Sequence, residues 1–459
     1  MAEKLSKWQK KEKELVYKRK SCWETATEKQ KKESFDLAEK YKQFLKQAKT
    51  ERKAVEFIEN FAKTHNIRYI KNREKSIALI RKGKKPIKEG LRIIASHVDS
   101  PHLDLKGLPL QEESNLCFLN THYYGGIKKY HWVNTPLSLI GVVVNRNMKK
   151  VKVEIGEKED DPCFVISDLL PHLARKQMKK EGKDIVTGEQ LTAIAGNMCA
   201  DDEKISEKIK LYILDILNKN YDIVEKDLLN SELQFVPSYS PRDIGFDKSL
   251  LGGYGHDDKV CAYASFEAMA NVEEPQYTTI VLFLDKEEIG SVGNTSATSY
   301  FFSNVVLELC REENITDPFD IRMVFDKALC ISSDVDMGIN PTFAEVHDMK
   351  NDPVLGSGIC VGKCNGWGGK YEGNDANTEY ISKIIDLYDK NNVLWQPSGM
   401  GKVDEGGGGT IAMYFSRYNM EVLDVGIPIL GMHSPFEIAS KIDLYYLLKA
   451  HEAFIKGKN

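Results

Sequence analysis

Long apolar runs are missing from this 459-residue chain. Crossing a bilayer takes ~18–20 consecutive apolar residues, and among the longest runs here is only Leu137–Val144, LSLIGVVV. A membrane-spanning helix is therefore excluded. The opening, MAEKLSKWQKKEKELVYKRK, also lacks the apolar segment of about 7–15 residues that follows the positive charges of a secretory signal, so a cytoplasmic protein is expected. No CxxC pair occurs. The nine cysteines, an odd number scattered from Cys22 to Cys364, form no disulfide framework and fit reduced thiols. Cys360 and Cys364 make a lone CxxxC, assigned to chance or a strand interior. With 42% hydrophobic and 29% charged residues, disordered and fibrous classes are excluded as well. The net charge of −4 is unevenly spread. Residues 1–50 hold 15 Lys/Arg against 8 Asp/Glu, a balance of +7; the rest hold 49 against 60, a balance of −11.

Glycine and proline are absent from residues 1–65, where Leu37, Tyr41, Phe44 and Ala48 fall at three- and four-residue steps. That is helix periodicity. Glu interleaves with the excess Lys and no nucleic-acid motif is present, so a solvated helical face is expected rather than a nucleic-acid partner. Leu91–Ser96 (LRIIAS), after Gly90, reads as a buried strand delivering side chains at its C-terminal end. From about 105 to 244 the pattern changes to short β-rich runs, Leu116–Tyr124, Leu137–Asn145 and Val151–Ile155, then a helix at Glu203–Tyr221. After Gly252-Gly253-Tyr254-Gly255 helices and strands alternate again. Helices are expected at Val260–Ala270, Thr298–Arg311, Asn377–Asp389 and Ile442–Phe454, and strands at Thr278–Leu284, Lys327–Ser332 and Met420–Val425. Such alternation predicts an α/β fold with a mainly parallel-centred sheet flanked by helices. The expected organisation is one α/β domain from residues 1–104 and 245–459, interrupted by a β-rich second domain at 105–244.

Five times, metal-ligating residue types follow a predicted strand or turn. Leu91–Ser96 runs into His97-Val98-Asp99; the glycine turn into Asp257-Asp258; Thr278–Leu284 into Glu287-Glu288; Lys327–Ser332 into Asp334; Val422–Leu430 into His433. Taken singly, each has an ordinary explanation: a capping histidine, a solvated acidic pair, carboxylates at a helix start. Together they point to the sheet's C-terminal edge, where α/β proteins place their sites, and to a cation that holds the acids there.

The segments Ala95-Ser96-His97-Val98-Asp99-Ser100-Pro101, Asp257-Asp258-Lys259-Val260, Asp285 to Ser291 (DKEEIGS), Ser332-Ser333-Asp334-Val335 and GIPILGMHS around His433 resemble the aspartyl aminopeptidase and aminopeptidase I family of zinc metallopeptidases. The likeness runs from about residue 90 onward. It implies an aminopeptidase with two Zn²⁺ per subunit, for which Co²⁺ or Mn²⁺ could substitute. His97 and Asp334 would bind one ion, Glu288 and His433 the other, and Asp257 both, with Asp258 the alternative to Asp257. Glu287 would be the general base, and Asp99 would orient the His97 imidazole. The inserted domain would serve dimerisation and assembly, with homo-oligomers that reach tetrahedral dodecamers. His172, in Ser167-Asp168-Leu169-Leu170-Pro171-His172-Leu173, would reach a neighbouring subunit's site or else be a buried structural histidine. Lys363 lies one position from the family's pocket lysine, leaving open an acidic or a neutral N-terminal residue as substrate; an ordinary strand-end lysine is the other reading. The glycine run Gly406–Gly409 before Thr410 is like the family's glycine-rich loop. Two rival readings are a related dinuclear deacylase or dipeptidase and a non-catalytic self-assembling shell or cargo protein.

Overall fold

The computed structural model describes residues 6–457. Its N-terminal part is helical, at Lys7–Leu15, Cys22–Thr25, Glu28–Gln47 and Glu51–Thr64. Thr27 caps the third, its hydroxyl accepting the Gln30 N–H while the Gln30 side chain returns to the Thr27 N–H. The apolar stripe read in the sequence, Leu37, Tyr41, Phe44 and Ala48, is buried. Phe44 meets Phe266 edge to face at 5.2 Å between ring centroids.

An eight-stranded sheet forms the centre. Four parallel strands lie side by side within it: Thr279–Leu284, Arg92–His97, Leu329–Ser332 and Glu421–Gly426. Every residue of the first two is buried, because both faces of the sheet are covered. Along Arg92–His97, Ile94 faces the core built with the helices His256–Asn271 and Lys441–Lys456, while Ile93 and Ala95 face the core built with Phe301–Glu312 and Pro318–Asp326. Full burial of one such isoleucine contributes roughly 1.5–3 kcal/mol. The pairs at the edges are mixed: Arg68–Asn72 and Ser76–Arg81 add antiparallel strands on one side, and Ile359–Gly362 lies antiparallel to Glu421–Gly426 on the other.

A second, six-stranded sheet is antiparallel throughout and is drawn from residues His102–Pro237. It has its own apolar cluster around Trp132, Leu137 and Phe235. Strands Leu116–Tyr124, Leu137–Val144 and Lys150–Ile155 fall on the short β-rich runs of the sequence, and the helix is confined to Lys208–Tyr221. Five short strands, Arg242–Ile244, Leu250–Gly253, Glu437–Ser440, Pro428–Leu430 and Asp336–Met337, make a third sheet that periodicity did not reveal. All nine cysteines are free, and Cys360 is buried inside a strand. Among the described residues no helix is long and apolar enough to cross a membrane.

Candidate metal centre

The predicted residues meet at the C-terminal edge of the central sheet. His97 ends its strand and is 1% exposed. Asp334 follows Leu329–Ser332, and a Cβ on the neighbouring Gly426 would come within 1.7 Å of the Asp334 carbonyl oxygen, so only glycine lets the two segments close up. Glu287 and Glu288 open a 3₁₀ turn just beyond Thr279–Leu284. Asp257 and Asp258 stand at the head of the helix His256–Asn271. His433 sits in a turn after Pro428–Leu430 with φ +63°.

One carboxylate joins the two imidazoles. Asp257 Oδ1 is 3.1 Å from His97 Nε2, and its Oδ2 is 3.1 Å from His433 Nε2. Around His97 Nε2 stand Asp334 at 3.7 Å and Glu287 at 3.9 Å; His433 Nε2 faces Glu288 at 3.3 Å. Ligand atoms of His97, Asp257 and Glu288 lie within 4.8 Å of one another, and so do those of His97, Asp258 and Asp334. Asp258 is fully buried and accepts the His97 backbone N–H; only Asp257 reaches both rings.

Behind these side chains lies a layer of supports. Asp99 accepts the backbone N–H groups of Glu287 at 3.2 Å and Glu288 at 3.1 Å, and the Tyr124 hydroxyl at 2.9 Å. His97 Nδ1 faces the Asp99 carbonyl at 3.1 Å and its carboxylate at 3.3 Å. A proton on Nδ1 therefore leaves the Nε2 lone pair turned toward Asp257. Glu437, which sequence reasoning missed, accepts the backbone N–H of Asp257 at 3.1 Å and of His433 at 2.7 Å. The Gly126 carbonyl fixes the other nitrogen of His433 at 2.8 Å. Neither Glu437 nor Tyr124 carries a sequence signal, since each acts on backbone or on another support.

Electrostatics agree with a site built for positive charge. Burial, followed by the neighbouring Asp257, pushes the Glu288 carboxyl well above its ordinary range. Burial also raises Glu287, to about 8, against the opposing His97, with Asp334, Asp99 and Asp257 adding to the rise. Burial acts against a proton on His433, yet Glu288 and Asp257 overcome it and lift the imidazole to about 11. Glu288 Oε1 is buried without a hydrogen-bond partner. An uncompensated oxygen among imidazole nitrogens and carboxylates fits a divalent cation, and a set of nitrogen and oxygen donors without thiolate suits Zn²⁺, Co²⁺ or Mn²⁺.

The cluster opens into a cavity of about 840 Å³, walled also by Gly407–Gly409, Thr410 and Tyr414. Two predicted residues are not brought to the cluster. Lys363 is exposed and outside the cavity wall, whereas its neighbours Gly362 and Cys364 line it; alternation along extended chain turns residue 363 away. His172 is exposed in a loop of the residue 102–237 region, which rules out a buried structural histidine.

An acid-and-imidazole cluster with a positioned extra carboxylate, at the C-terminal edge of a parallel sheet, defines a metal-dependent hydrolase. Residues 29–455 match the family described as Aminopeptidase I zinc metalloprotease (M18), and the chain belongs to that family. It is 42% identical to a Borrelia garinii subsp. bavariensis protein named Probable M18 family aminopeptidase 1, over 96% of this chain and all of that one. The crystal structure of an M18 aminopeptidase from Thermotoga maritima superposes with a TM-score of 0.93 at 37% identity, covering 96% of this chain and all of that one. The S. cerevisiae mApe1 dodecamer shares the fold at 20% identity, with a TM-score of 0.73 over 92% of this chain and 97% of that one.

Proposed function

We propose that this zinc metallopeptidase removes the N-terminal residue of peptides at a two-metal site that shares Asp257, with Glu287 as the general base. The observation that carries the reading is the single carboxylate of Asp257 turned to two imidazoles, one oxygen to each. His97 and Asp334 would hold one ion, Glu288 and His433 the other. When bound, such a pair polarises the scissile carbonyl and lowers the pKa of attacking water. Glu287 projects into the same cavity without belonging to either ligand set, so it is free to take the water's proton and pass it to the leaving amide nitrogen. Asp99 fixes the His97 tautomer and the Glu287-Glu288 turn at once. The acidic surroundings suit a free α-ammonium, which selects the end of a peptide.

The reading extends to assembly. The loop carrying His172 exposes Leu169, Leu170 and Leu173, at 52%, 49% and 69%. Apolar side chains standing free beside a histidine suit contact with a second subunit, whose cavity would receive that histidine. The segment 105–244 would then be the assembly domain of a homo-oligomer, up to a dodecamer such as the S. cerevisiae mApe1 with which the fold is shared.

The test is to strip the purified protein with a chelator, refill it with Zn²⁺, Co²⁺ or Mn²⁺, and follow chromogenic aminoacyl amides. Metal-dependent release of the N-terminal residue is expected. Equal release in the stripped protein, or none after refilling, would sink the proposal.

A further inference from the structure

Beyond the ligand cluster, the cavity has a second acidic region. Asp336 and Asp424 both line it, and neither belongs to the groups whose ligand atoms converge. Asp336 Oδ1 accepts the Met337 N–H at 2.7 Å, and Oδ2 accepts the Ser398 hydroxyl. Asp424 Oδ1 accepts the Thr410 hydroxyl at 2.6 Å, while its Oδ2 is buried with no hydrogen-bond partner. A carboxylate offers about four acceptor positions, so both residues keep unused capacity. Among the described residues neither makes an ion pair, although many surface acids of the chain do.

The region also has room. Gly362 pairs directly across from Asp424 in the sheet. A Cβ at 362 would approach the Asp424 Cβ to 3.2 Å and the Ser398 Oγ to 3.7 Å, so it is the glycine that leaves this floor open. Among the described residues the one Lys or Arg on the cavity wall is Arg417, which is exposed and lies over the Tyr414 ring at 5.3 Å. An exopeptidase places the substrate's terminal residue at the closed end and lets the remaining chain leave by the open one. Cys360, Gly362 and Ser398 line the cavity together with the two acids.

Resting on the aminopeptidase reading above, we infer that Asp336 and Asp424 form the pocket for the N-terminal side chain and select lysine or arginine. This takes the place of the acidic or neutral preference implied by resemblance. A neutral side chain would leave the spare acceptor positions of both carboxylates unfilled, and an acidic one would add a third negative charge. An ammonium or guanidinium group satisfies both acids through charge-assisted hydrogen bonds.

The experiment uses the zinc-refilled protein with Lys-, Arg-, Leu-, Met- and Glu-p-nitroanilides. The kcat/KM for Lys and Arg is expected to exceed that for Leu and Met by at least about tenfold, the scale of one charge-assisted hydrogen bond. Glu should be the poorest. Asp424→Asn and Asp336→Asn, on different strands, should each shrink the Lys-to-Leu ratio by about that factor, and Gly362→Lys should shift preference toward Glu. Should one Asn variant fail to fold, the other and the wild-type panel still decide. Leu, Met or Glu cleaved as well as Lys would overturn the pocket and leave the aminopeptidase standing. No cleavage of any amide would overturn both.

Discussion

The sheet edge that carries His97 and the loop that carries His172 treat the same residue type in opposite ways. His97 is 1% exposed, and both of its ring nitrogens have partners inside the chain. His172 is exposed, among three exposed leucines. The first region has its partners within the chain; the second leaves apolar side chains exposed. Chemistry that depends on fixed geometry is placed where packing overdetermines each side chain. The group proposed to act on another copy is left without such packing.

The largest effect that could break this contrast lies at Glu287. Replacing it with Gln keeps shape and removes the base, so turnover should fall on the order of 10²–10⁴-fold with metal content unchanged by elemental analysis. Undiminished turnover would remove Glu287 from its role. Asp99→Asn comes next. It keeps volume but changes an acceptor shared by His97, Glu287 and Glu288, so metal affinity or activity should drop about 10–100-fold. A titration with a chelator reads this out, and unaltered affinity with unaltered turnover would show that Asp99 merely fills space. The smallest effect is expected at the loop. His172→Ala should lower turnover without affecting metal content, and mixing it with the Glu287→Gln protein should restore part of the activity, because each mixed contact can join an intact base to an intact His172. No recovery after co-assembly, verified by sedimentation, would confine the site to one subunit and sharpen the contrast differently.

How legible all this is in the sequence depends on what each residue touches. His97, Asp257, Glu288, Asp334 and His433 stand out because acids and imidazoles follow apolar strands, a pattern with no solvation benefit of its own. Asp99 is visible through its two-residue spacing from His97. Glu437 is hidden: it supports backbone N–H groups of Asp257 and His433, and any sequence could present a carboxylate in a four-residue strand. The central parallel strands are readable as buried apolar runs, whereas the strands of the third sheet, some of only two residues, are too short to establish a period. Lys363 shows the other limit. A resemblance off by one position reverses the side of an extended chain, and the side chain leaves the cavity.

The parts of the cluster are far apart along the chain, from position 97 to position 433, and Asp257 cannot bridge to an imidazole that has not yet been made. A growing polypeptide that already displays His97, Asp257 and Glu288 still lacks the second ring and the Glu437 carboxylate that orients it. A chain that ends before His433 therefore lacks one of the two imidazoles facing Asp257, and the proposed two-metal site is incomplete in it.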